Sequence, residues 1–201
     1  MLASFFLTIP PRVLSFGTIS TLHQHTEHER ITRAALACRG KSSGDCFEPR
    51  SIDQLAGKGG TFGAVGAPDA MPFHEPAVAH CDNADFFDSA IYTPSKPVLV
   101  ERGAATLSLQ SCIKHLQDRF NEGADEAELL LNSQDRIRES EVNLNRIEDA
   151  TQKADCTFAP RFRGRAKCNV FDGLGRMLHG IQDFYSHSQY YQFGLILVIV
   201  N

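Results

Sequence analysis

Tryptophan is absent from this 201-residue chain, so its 14 phenylalanines are expected to carry most of the aromatic bulk of a core. An excess of basic residues is also lacking: Lys+Arg is 20 and Asp+Glu is 24, a formal net charge of −4. An electrostatic nucleic-acid binder needs a basic face, so no stable nucleic-acid complex is expected. The longest apolar run, Phe193 to Val200, has 8 residues including Gly194. A membrane-spanning helix needs about 20, so none is predicted. No C-x-x-C occurs, which argues against a zinc ribbon or a redox motif. The glycine-rich GKGGT at 57–61 lacks the G-x-x-x-x-G-K-[ST] pattern of a phosphate-cradling loop. No convincing period-two alternation is present, which removes the usual signal for half-buried strands.

What remains is an ordinary globular composition, 42% hydrophobic and 22% charged, on a chain that fits one domain. Six cysteines stand at 38, 46, 81, 112, 156 and 168. Their even number predicts three disulfides in an oxidising compartment, the alternative being six free thiols. Cys38 with Cys46 and Cys156 with Cys168 would close short Gly/Ser- and Arg/Lys-rich loops, leaving Cys81 with Cys112. Secretion calls for a signal peptide, and Met1 to Ile9 is apolar. The segment carries no basic residue, is followed by Pro10 and Pro11, and lacks an A-x-A site, so it is a weak signal. Residues 1–25 are taken as a signal-like or disordered lead-in.

The organised chain is expected to begin with Thr26 and Glu29 as a T-x-x-E capping box. Ile31, Ala34, Ala35 and Cys38 then fall on one helical face. Residues 39–50 and 57–75 read as loops, and 82–91 as a short helix. From 103 to 132 the apolar spacing of Leu109, Cys112, Ile113, Leu116 and Phe120 predicts a helix. Residues 134–150 predict a second, highly charged one. A basic loop follows with Arg161, Arg163, Arg165 and Lys167. The last strong element runs from 168 to 188, with Val170, Leu174, Met177, Leu178, Ile181 and Tyr185 on its apolar side. The fold class is all-α: a multi-helix bundle with long disulfide-closed loops.

That last helix carries His179, Asp183 and His187 at i, i+4 and i+8. Each step of four turns about 40°, so the three fan over about 80° of one face, opposite the apolar stripe. Such a face is either a solvated surface or a metal-binding wall, since His and Asp are suitable ligands for Zn²⁺. Gly173, Gly175 and Gly180 on the same helix suggest close approach by something, because Gly costs about 1 kcal/mol relative to Ala there.

The segment GRMLHGIQDFYSHS (175–188) resembles the H-x-x-x-D-F-x-x-H-S-N segment of Het-C-like proteins, relatives of the zinc-dependent phospholipase C and single-strand nuclease superfamily. TEHERITRAAL (26–36) resembles the superfamily's first helix, whose His is a ligand and maps to His28. CFEPRSIDQLAG (46–57) and AHCDNADF (79–86) resemble segments of secreted members. The superfamily's Asp followed about a dozen residues later by His maps to Asp69 and His80, with Asp82 and Asp85 as alternative carboxylates. The resemblance covers 26–189, read as a single helical domain, and leaves 190–201 as an aberrant apolar tail.

The resemblance implies up to three zinc ions. One would take Asp69, His80, His179 and Asp183. A second would share Asp183 and take His28 with the mature N-terminus. The third would start from His187 and is incomplete, because no His or carboxylate follows Tyr191. His179 and Asp183 are four apart, as in Het-C-like members, and Gln189 stands where the family has Asn. The implied activity is hydrolysis of a phosphodiester, phospholipid or nucleic acid, by zinc-bound hydroxide, with Asp69 and Asp183 as the catalytic carboxylates. The alternative is a non-catalytic Het-C-like recognition protein, or a truncated inactive relative. His23 and His25 read as a polar lead-in, and His74 and His115 as surface groups.

Overall fold

A computed structural model of the chain describes residues 16–17, 26–38, 46–59, 61–70, 75–84, 101–142, 156–158 and 163–187. The first helix, α1, is Glu27–Leu36. The predicted capping box does not form: Thr26 adopts φ 55° and its side chain makes no capping hydrogen bond. Glu27 instead turns back to accept from Gly17 N at 2.9 Å. The helix α2, Pro49–Ala56, was not predicted, and its first two residues correct the loop expected over 39–50. Pro49 fits the first turn, where its missing N–H costs nothing, and Glu48 accepts from Ser51 N and Arg50 N. Arg33 ties the two helices through Asp53 at 2.8 Å.

Two 3-10 turns follow, Ala67–Asp69 and Ala77–His80. The long helix α3 is Arg102–Glu128, and a single helical turn, α4, is Glu139–Val142. The predicted helix over 134–150 is corrected at its start. Residues 132–138 are a turn in which Asn132 Oδ1 accepts from Gln134 N and Arg136 N, closed by a bridge between Leu131 and Ile137. Asx turns of this kind compete with a helix start. Residues 143–150 and most of 82–91 lie outside the described residues. The last helix, α5, is Ala166–His187, within two residues of expectation.

Among the described residues the fold is helical, with isolated bridges and no strand. The most extensive packing is between α3 and α5. Their backbones meet at glycine: a Cβ on Gly173 would sit 2.6 Å from Arg119 O. Gly175 and Gly180 likewise lie against Ala64 and against Ala79 O. The close approach that these glycines suggested is therefore made by the protein's own backbone.

One core cluster gathers Ile52, Leu55, Ala56, Ala64 and Phe171; a second gathers Cys81, Ala84 and Cys112. Phe171 is the one phenylalanine in the buried core of the described residues, so aliphatic and alanine packing replaces the expected aromatic bulk. The apolar face predicted for α3 holds in part: Cys112 is buried and Leu109 and Leu116 pack on the second cluster, whereas Ile113 and Phe120 are exposed and Ala105, Gly123 and Glu126 face inward. The three disulfides are Cys38–Cys46, Cys81–Cys112 and Cys156–Cys168. No helix of the described residues is long and apolar enough to cross a membrane.

Candidate metal centre

The largest fully buried side chains include His28, His179, Asp183 and Thr32 beside Leu55 and Val65. Four polar groups thus occupy positions where hydrocarbon would be cheaper to bury. With Asp69 and His80 they are drawn from four pieces of chain, two helices and two 3-10 turns. His28 projects from the first turn of α1, and His179 and Asp183 from successive turns of α5. Asp69 and His80 end the two 3-10 turns. Cys81, directly after His80, is in the left-handed region at φ 54° and is bonded to Cys112 of α3, which holds the end of that turn against the helix pair.

The polar face of α5 is buried, and the apolar stripe only in part: Leu174 and Leu178 pack on the first core cluster. His179 and Asp183 are 0% and 2% exposed, whereas Ile181 and Tyr185 of the apolar stripe are 37% and 59% exposed. On α1, His28 and Thr32 are buried while Ile31 is exposed, which corrects the face expected for that helix. Both reversals have one cause. Polar side chains that satisfy one another can be buried, and hydrophobic periodicity does not register that.

Three ligand-type atoms form a tight triangle. His80 Nδ1 lies 2.8 Å from Asp183 Oδ2, His179 Nε2 lies 2.9 Å from the same oxygen, and the two ring nitrogens are 2.9 Å apart. Asp69 Oδ1 completes the group at 3.8 Å from His80 Nδ1 and 3.7 Å from His179 Nε2. A tetrahedral zinc with bonds of about 2.1 Å separates its ligands by about 3.4 Å, and these distances straddle that value. His28 Nε2 faces the other oxygen, Asp183 Oδ1, at 3.3 Å.

Hydrogen bonds behind the imidazoles settle which nitrogen faces inward. His179 Nδ1 is 2.8 Å from Val65 O, an acceptor only, so Nδ1 carries the proton. His28 Nδ1 donates to Gln182 Oε1 at 2.8 Å, and Gln182 Nε2 donates to Thr32 Oγ1 at 3.0 Å. In the neutral rings both Nε2 lone pairs therefore point at the Asp183 carboxylate. Lone pair facing lone pair is repulsive unless a proton or a cation lies between them. Backing of this type is what orients metal-ligating histidines.

The electrostatics agree. Burial would raise the Asp183 carboxyl, but His179, His28 and His80 around it hold it well below the usual carboxylate range. Burial would lower His28, yet Asp183 outweighs it and the net shift is upward. For His80 the Asp183 hydrogen bond dominates and also raises it. These buried His/Asp groups could hold a metal ion in two overlapping sets, His28/Asp69/His179 and His80/His179/Asp183.

His28, Asp69, His80, His179 and Asp183, five of the six residues mapped from the resemblance, come together here. His187 ends α5, and its side chain lies outside the described residues, as do Asp85, His23, His25, His74 and Arg161. Among the described residues Asp69 reaches the cluster, and Asp82 acts on His80 through its charge. His115, expected at the surface, is half-buried, 4.0 Å from Glu75 Oε2. In the basic loop Arg163 pairs with Glu126 and Lys167 with Glu48. The sequence reading missed Gln182, Thr32 and the Val65 carbonyl. Thr32 stands four residues after His28 and Gln182 three after His179, so helical spacing was a usable signal for the two side chains. The carbonyl had none.

Comparison with protein-family models, characterised proteins and solved structures finds no match. The fold and the site define a helical protein with three disulfides and a buried His/Asp cluster suited to a metal ion.

Proposed function

We propose that this chain is a secreted zinc protein and a phosphoester hydrolase of the phospholipase C/nuclease type. Asp69, His80, His179 and Asp183 would hold one zinc, and His28 with the second Asp183 oxygen would begin another site. The observation that carries the reading is the inward aim of His28 and His179, whose Nδ1 protons are committed to Gln182 and Val65 O. When bound, zinc supplies Lewis acidity toward a phosphoryl oxygen and makes water acidic enough to attack near neutral pH. The chain's own residues orient, charge and shield the centre. Val65 O and Gln182 fix the imidazole tautomers. Asp183, buried and ionised, supplies negative charge to a site that would otherwise repel a second cation. Asp69, 32% exposed, is the most accessible ligand and marks the side from which a phosphodiester would enter. Three disulfides and the absence of a membrane-spanning helix among the described residues are compatible with secretion.

A second reading, a Het-C-like recognition protein that keeps metal without catalysis, is favoured by one feature: His179 and Asp183 stand four residues apart, the spacing of Het-C-like members. Metal analysis of the purified chain, with hydrolysis of a chromogenic phosphodiester, short-chain phosphatidylcholine and single-stranded DNA, separates the two. The enzyme reading expects two zincs per chain and turnover of at least one substrate. In Asp183→Asn, which keeps shape but removes charge, at least one zinc and the turnover are lost. Bound zinc without turnover supports the recognition protein, and an Asp183→Asn variant that retains full zinc defeats both.

A further inference from the structure

The cluster accounts for five ligands but leaves open what sets Asp69 and His80 at their distances, since both end short 3-10 turns with little cooperative strength of their own. One turn before His179 on α5 lies Arg176, 3% exposed. A guanidinium does not shed its charge, so its burial needs carboxylates around it. Arg176 Nε donates to Asp172 Oδ1 at 2.9 Å, and Nη1 bonds Glu75 Oε1.

Glu75 occupies a telling place. Its backbone N–H donates to Pro68 O at 2.9 Å, one residue before Asp69. Pro76, the next residue, opens the 3-10 turn that ends in His80. Glu75 thus touches the base of one ligand-bearing turn and begins the other, and Arg176 binds it to the helix that carries His179 and Asp183. Resting on the zinc reading above, we infer that Arg176 is a positioning residue of the metal centre, acting through Glu75 to hold Asp69 and His80 in register with α5. Arg suits the task because its rigid planar fork fixes the directions of its bonds to the two carboxylates, which the compact, rotatable ammonium of a lysine does not.

The test uses the full chain with Glu75→Gln, which keeps an acceptor but removes the charge. Arg176→Lys keeps the charge but loses the fork, and Lys114→Gln breaks an exposed ion pair with Asp118 as a control. Zinc affinity is read by chelator competition, the ligand geometry by the visible spectrum of the cobalt-substituted protein, and the metal-free fold by urea unfolding. Both site-side variants are expected to lose about 10–100-fold in zinc affinity, the range for groups that orient ligands, with a shifted cobalt spectrum. Lys114→Gln is expected to match the parent in both. Should Arg176→Lys fail to fold, Glu75→Gln decides alone. Affinity within twofold of the parent and an unchanged cobalt spectrum, even with a less stable metal-free fold, would reduce Arg176 to a strut and overturn the inference. A parent chain that takes up no zinc would overturn the metal reading and this inference together.

Discussion

Gln182 shows how much a single amide decides. Its oxygen accepts the His28 Nδ1 proton and its nitrogen donates to Thr32, so one side chain spans α5 and α1 and sets the aim of a ligand. Gln182→Met preserves volume and removes both bonds. The expected result is about a 10–100-fold loss of zinc affinity with all five ligands intact, measured by chelator competition. The histidines also give the site a pH signature of definite sign. His28 and His80 are raised in the folded state by Asp183. In the metal-free protein their contribution is fully present below about pH 6.5, the ordinary His value, and is lost as pH rises through the folded values. The low value of Asp183 adds stability above about pH 4 that disappears on further acidification. Zinc reverses the alkaline limb, because ligands must be deprotonated to bind it. Urea unfolding from pH 5.5 to 8.5 should show metal-free stability falling and the zinc increment growing. A zinc increment independent of pH would remove the histidines from the ligand set.

At the scale of elements, the packing of α3 on α5 depends on what glycine leaves out. A methyl at Gly173 would meet Arg119 O and Gly123 N, both backbone, at 2.6 Å. Gly103 of α3 has nothing within 4 Å of the same position. Gly173→Ala is expected to destabilise by about 1–3 kcal/mol through overpacking, whereas Gly103→Ala leaves stability unchanged or slightly raised. Thermal melts of both variants check this; equal melting temperatures would mean that the two helices do not cross so closely. The extent of α5, the start of α3 and two of the disulfides could be read from the chain because each is local, apolar spacing or a short loop, and Cys81–Cys112 followed as the remaining pair. Which face of α5 and α1 is buried could not. Periodicity treats a polar face as solvated, and the bonds that make His28, Thr32, Gln182 and Asp183 compatible with burial join residues some 150 positions apart. His179 and Asp183 were legible from their helical spacing, whereas His28, Asp69 and His80 were legible only through the resemblance. Arg176 and Glu75 carried no sequence signal beyond their charge.

For the whole molecule, the centre is polar where most small domains are hydrocarbon. Two modest apolar clusters flank it, and disulfides staple the surrounding loops. Cys81–Cys112 adds to this by closing 31 residues, worth about 3–4 kcal/mol in the chain-entropy account. The position of that bond has a consequence of a different kind. Cys81 is covalently next to His80 at the same end of the second 3-10 turn, so whatever holds one residue in place holds the other. Two equilibria that share a structural element are thermodynamically linked, and linkage is reciprocal. Reduction of Cys81–Cys112 should therefore weaken zinc binding, and bound zinc should make that bond harder to reduce by the same factor. Zinc titrations of the oxidised chain and of Cys81→Ser/Cys112→Ser, beside thiol-exchange titrations with and without zinc, give the two halves of the cycle. Equal factors would make the protein a coincidence device, most fully assembled where an oxidising environment and available zinc occur together.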